Sequence, residues 1–141
     1  MAVTSDSGSS RGKNEAWTGD ACSLVEAFRR RERSPVEELE ATYAAIAASD
    51  LNAFGHLDPE RARERARAAD VTKPFGGVPI GVKELDQVAG WPDTEACVAL
   101  SDLIAQHTSV MVQRLEDAGA VLVGQTTASE FGGVNVTRTV M

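Results

Sequence analysis

The sequence predicts an α/β fold, on three observations. A short apolar run, Ile80 to Val82, and a longer one, Ala120 to Val123, flank a helical pattern closed at Gly119. The second run is apolar on both faces, as a strand inside a parallel sheet must be. The first half of the chain, by contrast, carries helix-start signals. Strand, helix and strand make one βαβ unit, whose crossover is expected to be right-handed.

Residues 1–15 are Ser-rich, carry Asp6, Arg11 and Lys13, and have almost no apolar side chains, so the sequence predicts a disordered tail there. Residues 16–72 read as an N-terminal helical arm. In its first helix Leu24, Val25 and Phe28 share a face, and Arg29, Arg30, Arg31 and Arg33 with Glu32 form a solvated end where positive charge complements the helix dipole. Ser34, Pro35 and Glu37 spell a capping box for a second helix with the stripe Val36, Leu39, Tyr43 and Ile46. Asn52, Ala53 and Phe54 lead into a turn. Asp58 and Pro59 start a third helix with Ala62, Ala66 and Ala69 facing inward.

Residues 73–141 read as an incomplete α/β core. Pro74 to Pro79 make a glycine-rich bend feeding a short, buried strand that starts at or after Pro79 and ends near Lys83. Residues 90–100 form a loop with a helical turn in it. Thr108 caps the crossover helix, with Met111, Leu115 and Ala118 on its inner face and Gly119 as its C-terminal stop. The segment after Thr127 adds no further strand, which leaves a parallel sheet with open edges.

Composition narrows the function. The chain has 141 residues, 43% hydrophobic content and a net charge of −7, with a pI near 4.8. That balance disfavours nucleic acid and anionic membrane as partners, since phosphate binding needs a concentrated cationic face. No stretch approaches the run of about 18 apolar residues that a membrane span needs, and no secretory signal stands at the start, so a cytoplasmic enzyme is expected. Cys22 and Cys97 stand in no metal or redox spacing and read as reduced core residues. His56 and His107 are isolated, so no metal or other cofactor is expected.

Lys83 is the informative residue. An ammonium at the end of a buried strand is costly to desolvate, and strand alternation points it away from the face of Val82 and Glu84. Partial burial would lower its pKa from about 10.4 towards neutrality and make it a proton acceptor. A strand-end lysine that snorkels to solvent fits the local sequence as well. Two other lysine motifs fail. Gly76 and Gly81 have the spacing of a phosphate loop, but Val82 intervenes before the lysine and the glycines precede a strand. The Ile80-Gly81-Val82-Lys83 run lacks the glycine loop and catalytic-loop signatures of a protein kinase. Ser101, Ser109 and Ser129 lie in no glycine-rich elbow and have no evident base, and read as surface or capping residues.

The assembled pattern runs Gly77-Val78-Pro79-Ile80-Gly81-Val82-Lys83-Glu84, Ala89-Gly90, Asp93-Thr94, the helix from Val110 to Gly119, then Ala120 to Thr127 and Glu130-Phe131. Over residues 24–138 this resembles the amidase signature family. The resemblance implies a large mixed sheet covered by helices, of which this chain holds the helical arm and the first βαβ unit. It also implies a Ser, cis-Ser, Lys triad with Lys83 as the lysine. Both serines are expected beyond Met141, so the 141-residue chain is expected to be inactive alone. The implied substrate is a small-molecule amide, and the full-length protein could form a homodimer. An amidase-type subunit of a tRNA-dependent amidotransferase and a non-catalytic remnant or binding module are the competing readings. Two departures bear on substrate subgroup: Glu84 stands where many relatives have Asp, and Gly124-Gln125-Thr126-Thr127 where they have Gly-Lys-Thr-Asn.

Overall fold

A computed structural model describes residues 12 and 14–134; the expected tail therefore lies almost wholly outside the described residues. Three helices open the fold: α1 (Ala21–Arg29), α2 (Pro35–Ala47) and, after strand β1 (Phe54–Leu57), α3 (Pro59–Arg67). Strand β2 (Pro79–Lys83), helix α4 (Val110–Asp117) and strand β3 (Val121–Thr126) follow.

The start signals act as their chemistry requires. In α2 the Ser34 hydroxyl accepts from the Glu37 N–H at 3.1 Å while Glu37 accepts from the Ser34 N–H at 2.8 Å, a closed capping box. Asp58 caps α3 by accepting from the Arg61 N–H. Gly119 ends α4 at φ 99°, with the Ala120 N–H reaching back to the Leu115 carbonyl. A side chain could not stand there for a second reason: a Cβ would lie 2.9 Å from the Gly76 Cα.

The sheet has the order β1-β3-β2, with β2 parallel and β1 antiparallel to the central β3. The expected turn at Phe54 is thus a strand, and the sheet is mixed. β1 escapes sequence reading because Phe-Gly-His-Leu is short and holds a glycine, a weak strand signal. The arm and the βαβ unit consequently share one sheet.

Two apolar clusters sandwich it. Leu39, Ala62, Ala66, Val121 and Val123 join α2 and α3 to one face. Val82, Val88, Trp91, Val112 and Leu122 close the other. A third cluster seats α1 through Leu24, Val25 and Phe28 on Val78.

Several details depart from the sequence expectation. Thr108 is not the cap of α4; its hydroxyl accepts from the Ala89 N–H, and Ser109 holds the N-cap position. Met111 is exposed, and Val112 is buried in its place, because Val-Met-Val offers two helical phases and the loop bonded through Gln87 and Ala89 selects the second. Arg33 is not solvated: it is 8% exposed, 2.6 Å from Glu38, and donates to the Glu15 carbonyl. Glu38 also accepts from the Trp17 N–H, so this buried ion pair fastens the chain ahead of α1 to α2. Of the cysteines, Cys97 is buried and Cys22 exposed, and both are free thiols.

Candidate active site

The parallel pair β2 and β3 directs the chemistry. In open α/β sheets ligands bind beyond the carboxyl ends of parallel strands, and Lys83 and Thr126 are register partners at that end.

A bulge sets which side chains share a face there. Ile80 pairs with Leu122 but Gly81 with Gly124, so Val123 is the extra residue, and beyond it the parity of β3 is reversed relative to β2. Gln125 therefore joins Val82 and Trp91, donating to the Pro92 carbonyl at 3.0 Å. Thr126 joins Gly81 and Lys83; a Cβ on Gly81 would meet Thr126 Cγ2 at 2.8 Å and the Phe54 ring at 3.3 Å. The carbonyl of the bulged Val123 accepts from the Tyr43 hydroxyl at 2.9 Å and from the Asp58 N–H at 3.3 Å. Gly124 is needed beside it, since a Cβ would lie 2.2 Å from the His56 carbonyl oxygen.

The loops leaving β2 and β3 are tied together. The Glu84 N–H donates to the Thr126 carbonyl at 3.0 Å, and its carboxylate accepts from the Ala128 N–H. The Phe131 N–H donates to the Glu95 carbonyl at 2.9 Å. Glu95, Ala96 and Phe131 all have positive φ, at 50°, 54° and 51°. Each such non-glycine residue costs about 1–2 kcal/mol, and strain of this kind gathers where function demands a particular backbone.

Acidic groups dominate this rim. Burial first, then the charges of Asp93, Asp86 and Glu84, hold the Glu95 carboxyl above its usual range. A hydrogen bond with Glu130, first, raises the Cys97 thiol, which makes it a poor nucleophile.

Lys83 itself is exposed, as are Gly81 and the edge they share, so β2 is not the buried strand expected: only Val82 on it is buried. The reason is the strand order, which leaves β2 at an edge among the described strands. Desolvation of its amine is thus not supplied by these residues. Of the serines, Ser101 is exposed and follows the 3-10 turn Val98–Leu100, Ser129 is buried and accepts from the Val134 N–H, Ser109 holds the N-cap position of α4 without a side-chain cap bond, and none is joined to a basic side chain among the described residues. No group of three or more His, Cys, Asp or Glu there could hold a metal ion, and no described helix is long and apolar enough to cross a membrane. An open groove of about 440 Å³ lies on the Lys83 face between α2, β1 and β2, lined by Ile46, Ala53, Phe54, Gly81 and Val123 among others. Its lining has no ionisable side chain.

The fold that carries Lys83 is shared with known proteins. The amidase family profile matches residues 37–141, and the chain belongs to the amidase signature family. It is 38% identical over 120 residues to a glutamyl-tRNA(Gln) amidotransferase subunit from Bordetella avium (strain 197N), covering 80% of this chain and 24% of the relative. The corresponding subunit from Ruegeria pomeroyi (strain ATCC 700808 / DSM 15171 / DSS-3) is 40% identical over 114 residues, 75% of this chain and 23% of the relative. Among solved structures, 6-aminohexanoate cyclic dimer hydrolase superposes with a TM-score of 0.74 at 31% identity, covering 80% of this chain and 24% of that one. The native peptide amidase from Stenotrophomonas maltophilia gives 0.74 at 27% identity, over 81% and 26%. The chain spans about a quarter of the length of these relatives.

Proposed function

We propose that this chain is the lysine-bearing segment of an amidase-type hydrolase that cleaves carboxamide C–N bonds by a Ser, cis-Ser, Lys mechanism. The observation that carries the reading is the position of Lys83, at the carboxyl end of a parallel strand beside the central strand, next to Glu84, which ties the loops leaving the two strands together. The neutral Lys83 amine accepts the proton that the cis-serine hydroxyl relays from the nucleophilic serine. The serine oxygen bonds to the amide carbon, the C–N bond breaks, and the amine leaves with a proton. Water then cleaves the ester and releases the acid. Neither serine lies among these residues, so the 141-residue chain has no turnover of its own. The remainder of the family fold supplies both serines and the cover that takes the Lys83 amine out of water. The substrate is a small-molecule amide, and the setting is the cytoplasm.

The amidotransferase reading is supported by the two amidotransferase subunits, at 38% and 40% identity. A glutaminase assay with and without the partner subunits separates the two readings.

The test of the mechanism replaces the matching segment of peptide amidase with residues 24–134 of this chain. Amide hydrolysis by the chimera should fall about 10²–10⁴-fold on Lys83→Ala, the range for removing a positioned acid–base group. Unchanged hydrolysis by a folded Lys83→Ala chimera excludes the role.

A further inference from the structure

His56 lies on β1 in register with Gln125 of β3, and its surroundings are unusual for an imidazole. Its ring meets the Trp91 ring edge-on at 5.3 Å between centroids. Its Nε2 is buried and has no hydrogen-bond partner among the described residues. We propose that His56 is a pH-sensitive latch for the Trp91 loop: protonation puts a positive charge on a ring whose buried Nε2 has no partner among the described residues and loosens the seat of Trp91 against β1.

The charged groups around the imidazole are already engaged elsewhere. β1 carries no other ionisable group, and its register partner on β3 is the uncharged Gln125. From α3 come Asp58 and Arg61. The Asp58 carboxylate favours the cation, yet it already accepts from Trp91 Nε1 at 2.7 Å and from the Arg61 N–H. The Arg61 guanidinium sits 5.7 Å from the Trp91 ring centre, occupying that ring's attraction for cations and repelling a second one. From α4, Glu116 is engaged by Arg61 at 3.1 Å. On the loop, Asp93 accepts from Gln87. Burial outweighs Asp58 and lowers the His56 pKa below its usual 6.5.

Below the ordinary histidine range the unfolded chain takes up a proton that the folded chain refuses, so the folded state binds fewer protons. The contribution of His56 is whole above about pH 6.5 and is lost as pH falls through the lowered folded value. The consequence reaches the functional rim, because the Trp91 loop also holds Pro92 against Gln125 and Asp93 against Gln87.

In the 141-residue chain, the imidazole proton resonance of His56 should titrate below the usual 6.5, and the Trp91 indole N–H should shift with the His56 midpoint. The fall in melting temperature from about pH 7.5 to about pH 5.5 should shrink in His56→Gln. Titration of His56 at or above 6.5 overturns the proposal, and so does an equal fall in parent and His56→Gln. If the variant does not fold, the titration of the parent decides alone.

Discussion

On one face of the sheet, α2 and α3 lay Leu39, Ala62 and Ala66 over Val121 and Val123; on the other, α4 supplies Val112 and a loop supplies Val88 and Trp91. The first face is closed by periodic apolar stripes, which need only helical spacing and good caps. The second is closed by one aromatic residue that polar bonds hold in place: its Nε1–H donates to the Asp58 carboxylate and its carbonyl accepts from the Ala105 N–H. Burial without periodicity needs such anchors, because a loop has no ladder of its own to fix its side chains.

The comparison can be broken by truncating each face. Trp91→Ala should cost about 3–5 kcal/mol, since it opens a cavity and leaves the Asp58 carboxylate short of a donor. Urea unfolding measures it, and a loss under about 1 kcal/mol would mean that the loop does not close the core. Leu39→Ala, 1% exposed, should cost about 2–5 kcal/mol by the same measurement, at the lower end if the small alanines of α3 settle into the space. Tyr43→Phe sharpens the contrast with the least disturbance. It removes one of two donors to the bulged Val123 carbonyl and should cost about 0.5–1.5 kcal/mol.

Tyr43 is the only tyrosine, which makes its ionisation readable by phenolate absorbance. Burial, then the Asp58 charge, raises its pKa to about 12. The folded chain thus keeps a proton that the unfolded chain loses from about pH 10, and stability from this group declines as pH rises between those values. Phenolate appearing near pH 10 with the fold intact would contradict the Tyr43 contact.

What was legible in the sequence was local. Ser34-Pro35 with Glu37, Asp58-Pro59 and Gly119 each state their structure within a turn of chain, and the apolar run Ala120 to Val123 states the central strand. What was hidden depends on partners far along the chain. The Arg33–Glu38 pair takes one member of the basic cluster into a buried clamp, and β1 exists because β3 is there to pair with it. The bulge at Val123 shows only in the register of three strands. Lys83 was found through its place in a longer motif. The local sequence allows both a buried and a snorkelling amine, and the amine is exposed because the strand that bears it is an edge among the described strands.

The central claim is therefore about Lys83 in two settings: in water on this chain, and covered once the rest of the family fold is joined to it. The direct measurement is the rate at which an amine-acylating reagent modifies Lys83, by peptide mass mapping, in the 141-residue chain and in the peptide amidase chimera, with exposed Lys73 as reference. The account predicts that Lys83 reacts like Lys73 in the short chain and at least about tenfold differently from it in the chimera, where burial alters both access and protonation. Equal reactivity of the two lysines in a folded chimera would contradict it.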